Sequence, residues 1–463
     1  MGCRLLSSHA VTGDSLHHRE LMVRGNLDRA ILHLGVPAAT AALLQAGFLV
    51  VDTFWLGRVG PVAIAAASTA GFVMWLAQTL GEGVASGSGA VLAQSIGAAD
   101  PERARRAAAA GQALGVWGSL LVAGLGLLLV EPTFAFMGTD QAVTDAGGGY
   151  MRVILLGMPA YFLFAWIAAA FRATGDARTP LKMLGVAAAV NVILDPMLIF
   201  GLGPMPRLEV LGAAVATGAS WLVAAAWGWA RLGGLGLRPR PQDVLRPPRE
   251  SWRALGIGLP LGVEGALFSL IYIVLTRITT GFGTPAVAAL GIGHKLEVLN
   301  YFICAGMGAA ATTLVGQNLG AGDRVRARRS GWRTLFLTCL PVGAITLLIV
   351  GWPDVAVRVF SSDDRVIAAG VTYALIVGMT QLFMAAEVVL MGGFAGAEWT
   401  AWPASVEIGF TAARIPLAWA LVDAGWGIES VWTAIAATTV VKGVLLAVLF
   451  AWRMRTRVPS GLG

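Results

Sequence analysis

Twelve apolar runs, each longer than 20 residues, leave this chain one environment in which to fold. They stand at residues 30–57, 61–92, 107–131, 147–171, 180–202 and 208–230, then at 254–281, 285–316, 332–352, 366–395, 401–422 and 428–452. A helix needs about 20 apolar residues to cross a bilayer, and in lipid every backbone N–H and C=O must be bonded within its own segment. Only 13% of the 463 residues are charged, against roughly 25% in a soluble domain. The expected fold is therefore an all-α membrane protein with twelve transmembrane helices. Glycine is abundant, at 60 residues, and small residues let helices approach closely where packing rather than water exclusion holds them together.

Charge placement gives the sidedness. Cytoplasmic loops retain Lys and Arg. Alternate connections hold 20 such residues on one side, between Arg103–Arg106, Arg172–Lys182, Arg231–Arg253, Arg324–Arg333, near Glu398 and beyond Arg453. The opposite side holds four: Arg58, Arg207, Arg358 and Arg365. This places both termini in the cytoplasm of a cell (inner) membrane protein. It also accounts for the net charge of +7 without a nucleic-acid partner. Residues 1–25 lack the apolar core of a signal peptide and are expected to form an unstructured tail, with Met22 as an alternative start. Residues 233–253, rich in Pro and Arg, are expected to be a solvated cytoplasmic linker between lobes 26–232 and 254–452, and residues 453–463 a second tail.

The two lobes repeat each other. Leu34-Gly35-Val36-Pro37 returns as Ile257-Gly258-Leu259-Pro260, and Gln94 to Asp100 as Gln317 to Asp323, both 223 residues later. Asp140, Val143 and Tyr150 keep that offset with Asp363, Val366 and Tyr373. Gly157-Met158 with Gly378-Met379, and Gly175 with Gly396, suggest a slip to 221. Six helices per copy put both copies in the same orientation, the parallel repeat of transporters whose halves are related by an axis along the membrane normal.

Charge inside a bilayer is costly and marks candidate functional positions. Asp52 lies late in the first helix. Asn191 and Asp195 are four apart in the fifth and share a helix face. A carboxylate with an amide oxygen suits Na⁺, and a desolvated carboxylate equally suits H⁺. In the second lobe the acids are Glu264, Glu297, Glu387 and Glu407. His294, one turn before Glu297, is placed to pair with it, and Lys295 adds a further charge. Lys442 and Arg277 are expected to reach helix ends or pair internally, and Glu82 is a cavity or packing residue. Cys3, Cys304 and Cys339 show no pairing or metal spacing, and the five histidines offer no metal-ligand motif. No HExxH, P-loop or other catalytic motif is present, so no enzyme activity and no cofactor are expected.

From about residue 26 to 452 the chain resembles the multidrug and toxic compound extrusion (MATE) antiporters. The resemblance rests on Pro37, Val51-Asp52-Thr53 and Gly57, then Gln94 and Gly97-Ala98, Arg172-Ala-Thr-Gly175-Asp-Ala-Arg-Thr-Pro180, Asn191 with Asp195, Gln317 to Asp323, and Arg414-Ile-Pro416. It implies two six-helix lobes around a V-shaped cavity, and export of amphipathic or cationic drugs by a monomer, driven by inward Na⁺ or H⁺. It also implies a cation-coupling site at Asp52, Asn191, Asp195 and Thr217, with Tyr150 lining the same cavity. His294 and the second-lobe acids Glu264, Glu297, Glu387 and Glu407 would face cargo. A polar residue that the family carries near Ala168 is absent. A lipid-linked oligosaccharide flippase of the same wider superfamily is the alternative; the intramembrane acids favour cationic cargo over a pyrophosphate lipid.

Overall fold

The computed structural model describes residues 13–138, 140–238 and 241–455. Twelve helices among the described residues are long and apolar enough to span a membrane. The first lobe begins with a short helix α1 (Gly13–Val23), followed by α2 (Leu27–Val59), α3 (Pro61–Gly97) and α4 (Pro101–Leu128). A short α5 (Val130–Met137) leads into α6 (Gln141–Ala173), α7 (Arg178–Phe200) and α8 (Val210–Leu232). A five-residue α9 (Pro241–Leu245) lies in the connection. The second lobe repeats the order: α10 (Glu250–Thr280), α11 (Thr284–Gly320), α12 (Arg324–Gly351), short α13 (Pro353–Arg358), then α14 (Asp364–Ile376) and α15 (Gln381–Gly396). A 3₁₀ turn at Gly378–Thr380 separates those two. The chain ends with α16 (Ala401–Asp423) and α17 (Glu429–Arg453).

Helix starts follow the duplicated sequence. Asp100 and Asp323 accept from the backbone N–H of Arg103 and Arg326, and Asp140 and Asp363 cap α6 and α14. Pro37 and Pro260 interrupt the hydrogen-bond ladders of α2 and α10 at matching places. The expected slip to 221 does not occur. α6 ends at Ala173 and α15 at Gly396, and α7 starts at Arg178 where α16 starts at Ala401, each pair 223 apart. Gly175 and Glu398, also 223 apart, both take positive φ, at 95° and 54°. The Gly-Met and Gly175–Gly396 matches are out of register, because glycine recurs too often in these helices to mark position alone.

The lobes meet along the halves of α2, α3, α10 and α11 that run toward the Arg-rich loops. A Cβ on Gly83 would stand 2.5 Å from the carbonyl of Gly258, and one on Gly306 would stand 2.2 Å from the Ala39 nitrogen. Backbones touch there because no side chain intervenes. Toward the opposite end, Gly47, Gly60, Gly71 and Gly291 have open space beside them. The two lobes therefore diverge as a V toward the Arg-poor face.

The sequence placed residues 1–25 in an unstructured tail. The structure corrects this for Gly13–Val23, which form α1 against the junction of the lobes. Arg19 donates to the carbonyls of Ile96 and Gly97, at 3.0 and 2.8 Å, satisfying two otherwise open carbonyls at the end of α3. Met22 is fully buried, and its carbonyl accepts from Asn318 and Arg326 of the second lobe. Residues 1–12 and the tail beyond 455 lie outside the described residues. The linker is docked rather than free: Trp117 donates to the Val244 carbonyl at 2.8 Å, and Arg106 pairs with Glu250 at 2.8 Å.

Candidate functional site

In the first lobe, α2, α7 and α8 bring Asp52, Asn191, Asp195 and Thr217 together. Asn191 and Asp195 are wholly buried and Thr217 nearly so, whereas Asp52 is half-buried. Asp195 stands five residues before the end of α7, inside the helix and not in a solvated cap. The Asn191 amide donates to Asp195 Oδ1 at 3.2 Å. Its nitrogen lies 3.5 Å from Thr217 Oγ1, and the Thr217 hydroxyl donates to Asp52 Oδ2 at 3.4 Å. The two carboxyl groups are near enough to interact directly, and Tyr150, buried in α6, lies within electrostatic reach of both. Three buried oxygens have no hydrogen-bond partner: Asp52 Oδ1, Asn191 Oδ1 and Asp195 Oδ2. No Lys or Arg among the described residues forms an ion pair with either acid. Two carboxylates, an amide oxygen and a hydroxyl form an oxygen-only donor set, which fits a hard monovalent cation or a proton. Ala168 is buried in α6 and adds no polar group.

The second lobe is organised differently. Lys442 on α17 reaches Glu407 on α16 at 2.7 Å and Glu387 on α15 at 2.9 Å, with all three nine-tenths buried or more. Its ammonium also lies 3.3 Å from Thr411 Oγ1. Glu264 on α10 is within electrostatic reach of these three but has no ion-pair partner among the described residues. Arg414, also buried, donates to Thr438, Tyr272 and Thr439 at 2.9, 2.9 and 3.0 Å.

The expected His294–Glu297 pair does not form. Glu297 Oε1 accepts from Tyr373 at 3.2 Å and from Gln381 at 3.1 Å, while His294 packs edge-on against Tyr272 with 4.9 Å between ring centroids. Groups one turn apart are neighbours only when nothing on a facing helix competes, and here α14 and α15 supply better-placed donors. Lys295 turns instead toward the Phe360 ring, 5.8 Å from its centroid. Glu82 accepts from Tyr161 at 2.9 Å. Arg277 is exposed, whereas Lys442 does pair internally. Sequence reasoning used Arg414 only as a family landmark and missed its site. The signal was present: Arg414 follows Asn191 by the repeat offset of 223.

Comparison with known proteins agrees with this architecture. The MatE family profile matches twice, over residues 37–197 and 260–420, and the two blocks begin 223 residues apart. A probable multidrug resistance protein NorM of Chromobacterium violaceum is 30% identical over 456 residues, covering 94% of this chain and 96% of that protein. One of Thermotoga maritima with the same description is 28% identical over 433 residues, covering 91% and 92%. An FAD transporter of Shewanella oneidensis is 28% identical over 351 residues, covering 75% and 78%. A MATE family multidrug resistance transporter of the MOP superfamily, solved in an outward-facing conformation, superimposes with a TM-score of 0.88 at 20% identity, covering 96% of this chain and 98% of that one. A twofold profile match across most of the chain, together with the twelve-helix fold, places this protein in the MatE family.

Proposed function

We propose that the chain is a secondary antiporter that exports amphipathic organic cations from the cell in exchange for an inward-moving Na⁺ or H⁺ bound at Asp52, Asn191, Asp195 and Thr217. The observation that carries this reading is the set of three unpartnered buried oxygens around two carboxylates with no internal cation. A buried ionised pair of acids needs a positive charge from outside to offset its desolvation. Exchange follows if cation and cargo favour different lobe arrangements, since a ligand that binds both arrangements equally shifts nothing. Glu264, without an ion pair of its own, offers the second lobe's negative charge to a cationic cargo. The Arg-rich loops put both termini in the cytoplasm of the cell membrane, so the V opens outward, and each monomer carries a complete path.

The relative named as an FAD transporter raises an anionic cargo as a second reading. The carboxylates outnumber the cations in both lobes, which favours positive cargo, and the same surplus disfavours a pyrophosphate lipid. The test is transport in proteoliposomes with ethidium, FAD or a lipid-linked sugar inside, driven by an imposed Na⁺ or pH gradient. Gradient-driven ethidium movement that Asp195→Asn abolishes supports the proposal. Movement of FAD or of the lipid alone overturns it.

A further inference from the structure

The repeat lets the two lobes be compared position by position. Asn191 sits beside two acids that no cation of the protein balances. Its counterpart 223 residues later is Arg414, a buried guanidinium. Next to it, Lys442 joins Glu387 and Glu407 through a single ammonium at 2.9 and 2.7 Å. These are hydrogen-bond distances between charges that are almost completely removed from water. An ammonium with three N–H donors meets Glu387, Glu407 and Thr411, so each proton has an acceptor.

From this we infer that Lys442 is a built-in counter-ion: its ammonium fills, between Glu387 and Glu407, the kind of place that an external cation takes between Asp52 and Asp195. The second lobe's acid pair then takes up no coupling ion. The first lobe alone binds one, and the two halves of a duplicated chain have separate duties. The inference rests on the proposed coupling role of the first lobe, and the same experiment separates the two.

A buried pair with one charge missing is more costly than the intact pair, because the remaining charge has no partner. Removing the ammonium therefore leaves a vacancy that a small external cation can fill. Lys442→Met keeps the apolar stem and removes the charge. Lys442→Met/Glu407→Gln removes one charge of each sign and restores the balance.

The test counts cations on the purified protein in lipid nanodiscs, using radiolabelled Na⁺ and, in parallel, proton uptake on acidification. Every count is taken as a difference from the Asp52→Asn/Asp195→Asn variant. Wild type is expected to exceed that variant by one cation, and Glu387→Gln by the same one. Adding Lys442→Met to the Asp52→Asn/Asp195→Asn background is expected to raise its count from none to one, and adding Glu407→Gln to that variant to return it to none. If Glu387→Gln in the otherwise wild-type chain lowers the count by one, an external cation occupies the acid pair despite Lys442, and the inference is overturned. That arm does not depend on Lys442→Met folding. If Lys442→Met folds and gains no cation, the inference also fails. If instead wild type and Asp52→Asn/Asp195→Asn bind equally, the coupling role of the first lobe fails on its own.

Discussion

Gly97 and Gly320 hold equivalent positions at the ends of α3 and α11, and each lies against the backbone of the other's helix. A Cβ on Gly97 would stand 2.0 Å from the Gln317 carbonyl oxygen, and one on Gly320 would stand 2.0 Å from that of Gln94. The same two glutamines also tie the lobes through their side chains: Gln94 donates to the Gly396 carbonyl at 3.0 Å, and Gln317 to that of Ala173 at 2.7 Å. Gly97→Ala or Gly320→Ala is expected to force the seam apart, at a cost of about 1–3 kcal/mol typical of overpacking against backbone. Spin labels at Glu102 and Arg329 should then report a longer or broader distance than in the unsubstituted chain. An unchanged distance distribution would show that the seam yields without opening.

At the coupling site, Asp195→Asn keeps the shape and removes the charge, so gradient-driven efflux should be lost while the protein still reaches the membrane. Thr217→Val removes a hydroxyl that contacts both Asn191 and Asp52. If Na⁺ is the ion, that change should raise the Na⁺ concentration for half-maximal efflux by about tenfold, the equivalent of roughly 1.4 kcal/mol and the scale of one buried hydrogen bond. If H⁺ alone drives transport, Na⁺ dependence is absent from both proteins, and the effect of Thr217→Val appears only in the pH profile.

Arg19→Ala tests the docking of α1. It removes both donors to the Ile96 and Gly97 carbonyls, charge-assisted bonds worth about 1.5–3 kcal/mol between them after partial exposure. Hydrogen exchange in residues 13–23 should accelerate by about tenfold or more, while α3 upstream of Ala90 remains protected. Equal exchange in both proteins would mean that Met22 burial alone holds the helix.

Orientation is open to direct labelling. Gln242 is exposed on the Arg-rich side, and Gly203 and Ala424 are exposed on the Arg-poor side. In intact cells a membrane-impermeant thiol reagent should label Gly203→Cys and Ala424→Cys and spare Gln242→Cys. The reverse pattern would invert the topology and the direction of transport with it.

The span count was legible because lipid forces each crossing into a long apolar run, and the duplication because caps and prolines recur at one spacing. The first-lobe cluster was half legible: Asn191 and Asp195 lie on one helix, four residues apart. Asp52 and Thr217 joined them only through the family resemblance, since nothing local points from α2 to α8. The Lys442 network had no local signature at all. Its members stand on α15, α16 and α17, and Glu387 is 55 residues from Lys442, so only tertiary packing brings them together. Within α11, the one-turn spacing of His294 and Glu297 misled, because Tyr373 and Gln381 compete for the carboxylate from facing helices. α1 was missed because its sequence is short and polar, and its docking depends on Met22 and on backbone carbonyls, which composition does not reveal.

Gly175 and Glu398 share a backbone conformation but not a surface. A Cβ on Gly175 would stand 3.1 Å from the Cβ of His18, so the bare glycine is what lets α1 lie close over the first lobe. At the corresponding place the second lobe carries a glutamate side chain, which is ion-paired with Arg253. A helix like α1 has a berth on one half of the molecule and an obstruction on the other. The duplicated transporter thus presents the cytoplasm with two unlike faces, and any soluble factor approaching from that side can tell one lobe from the other.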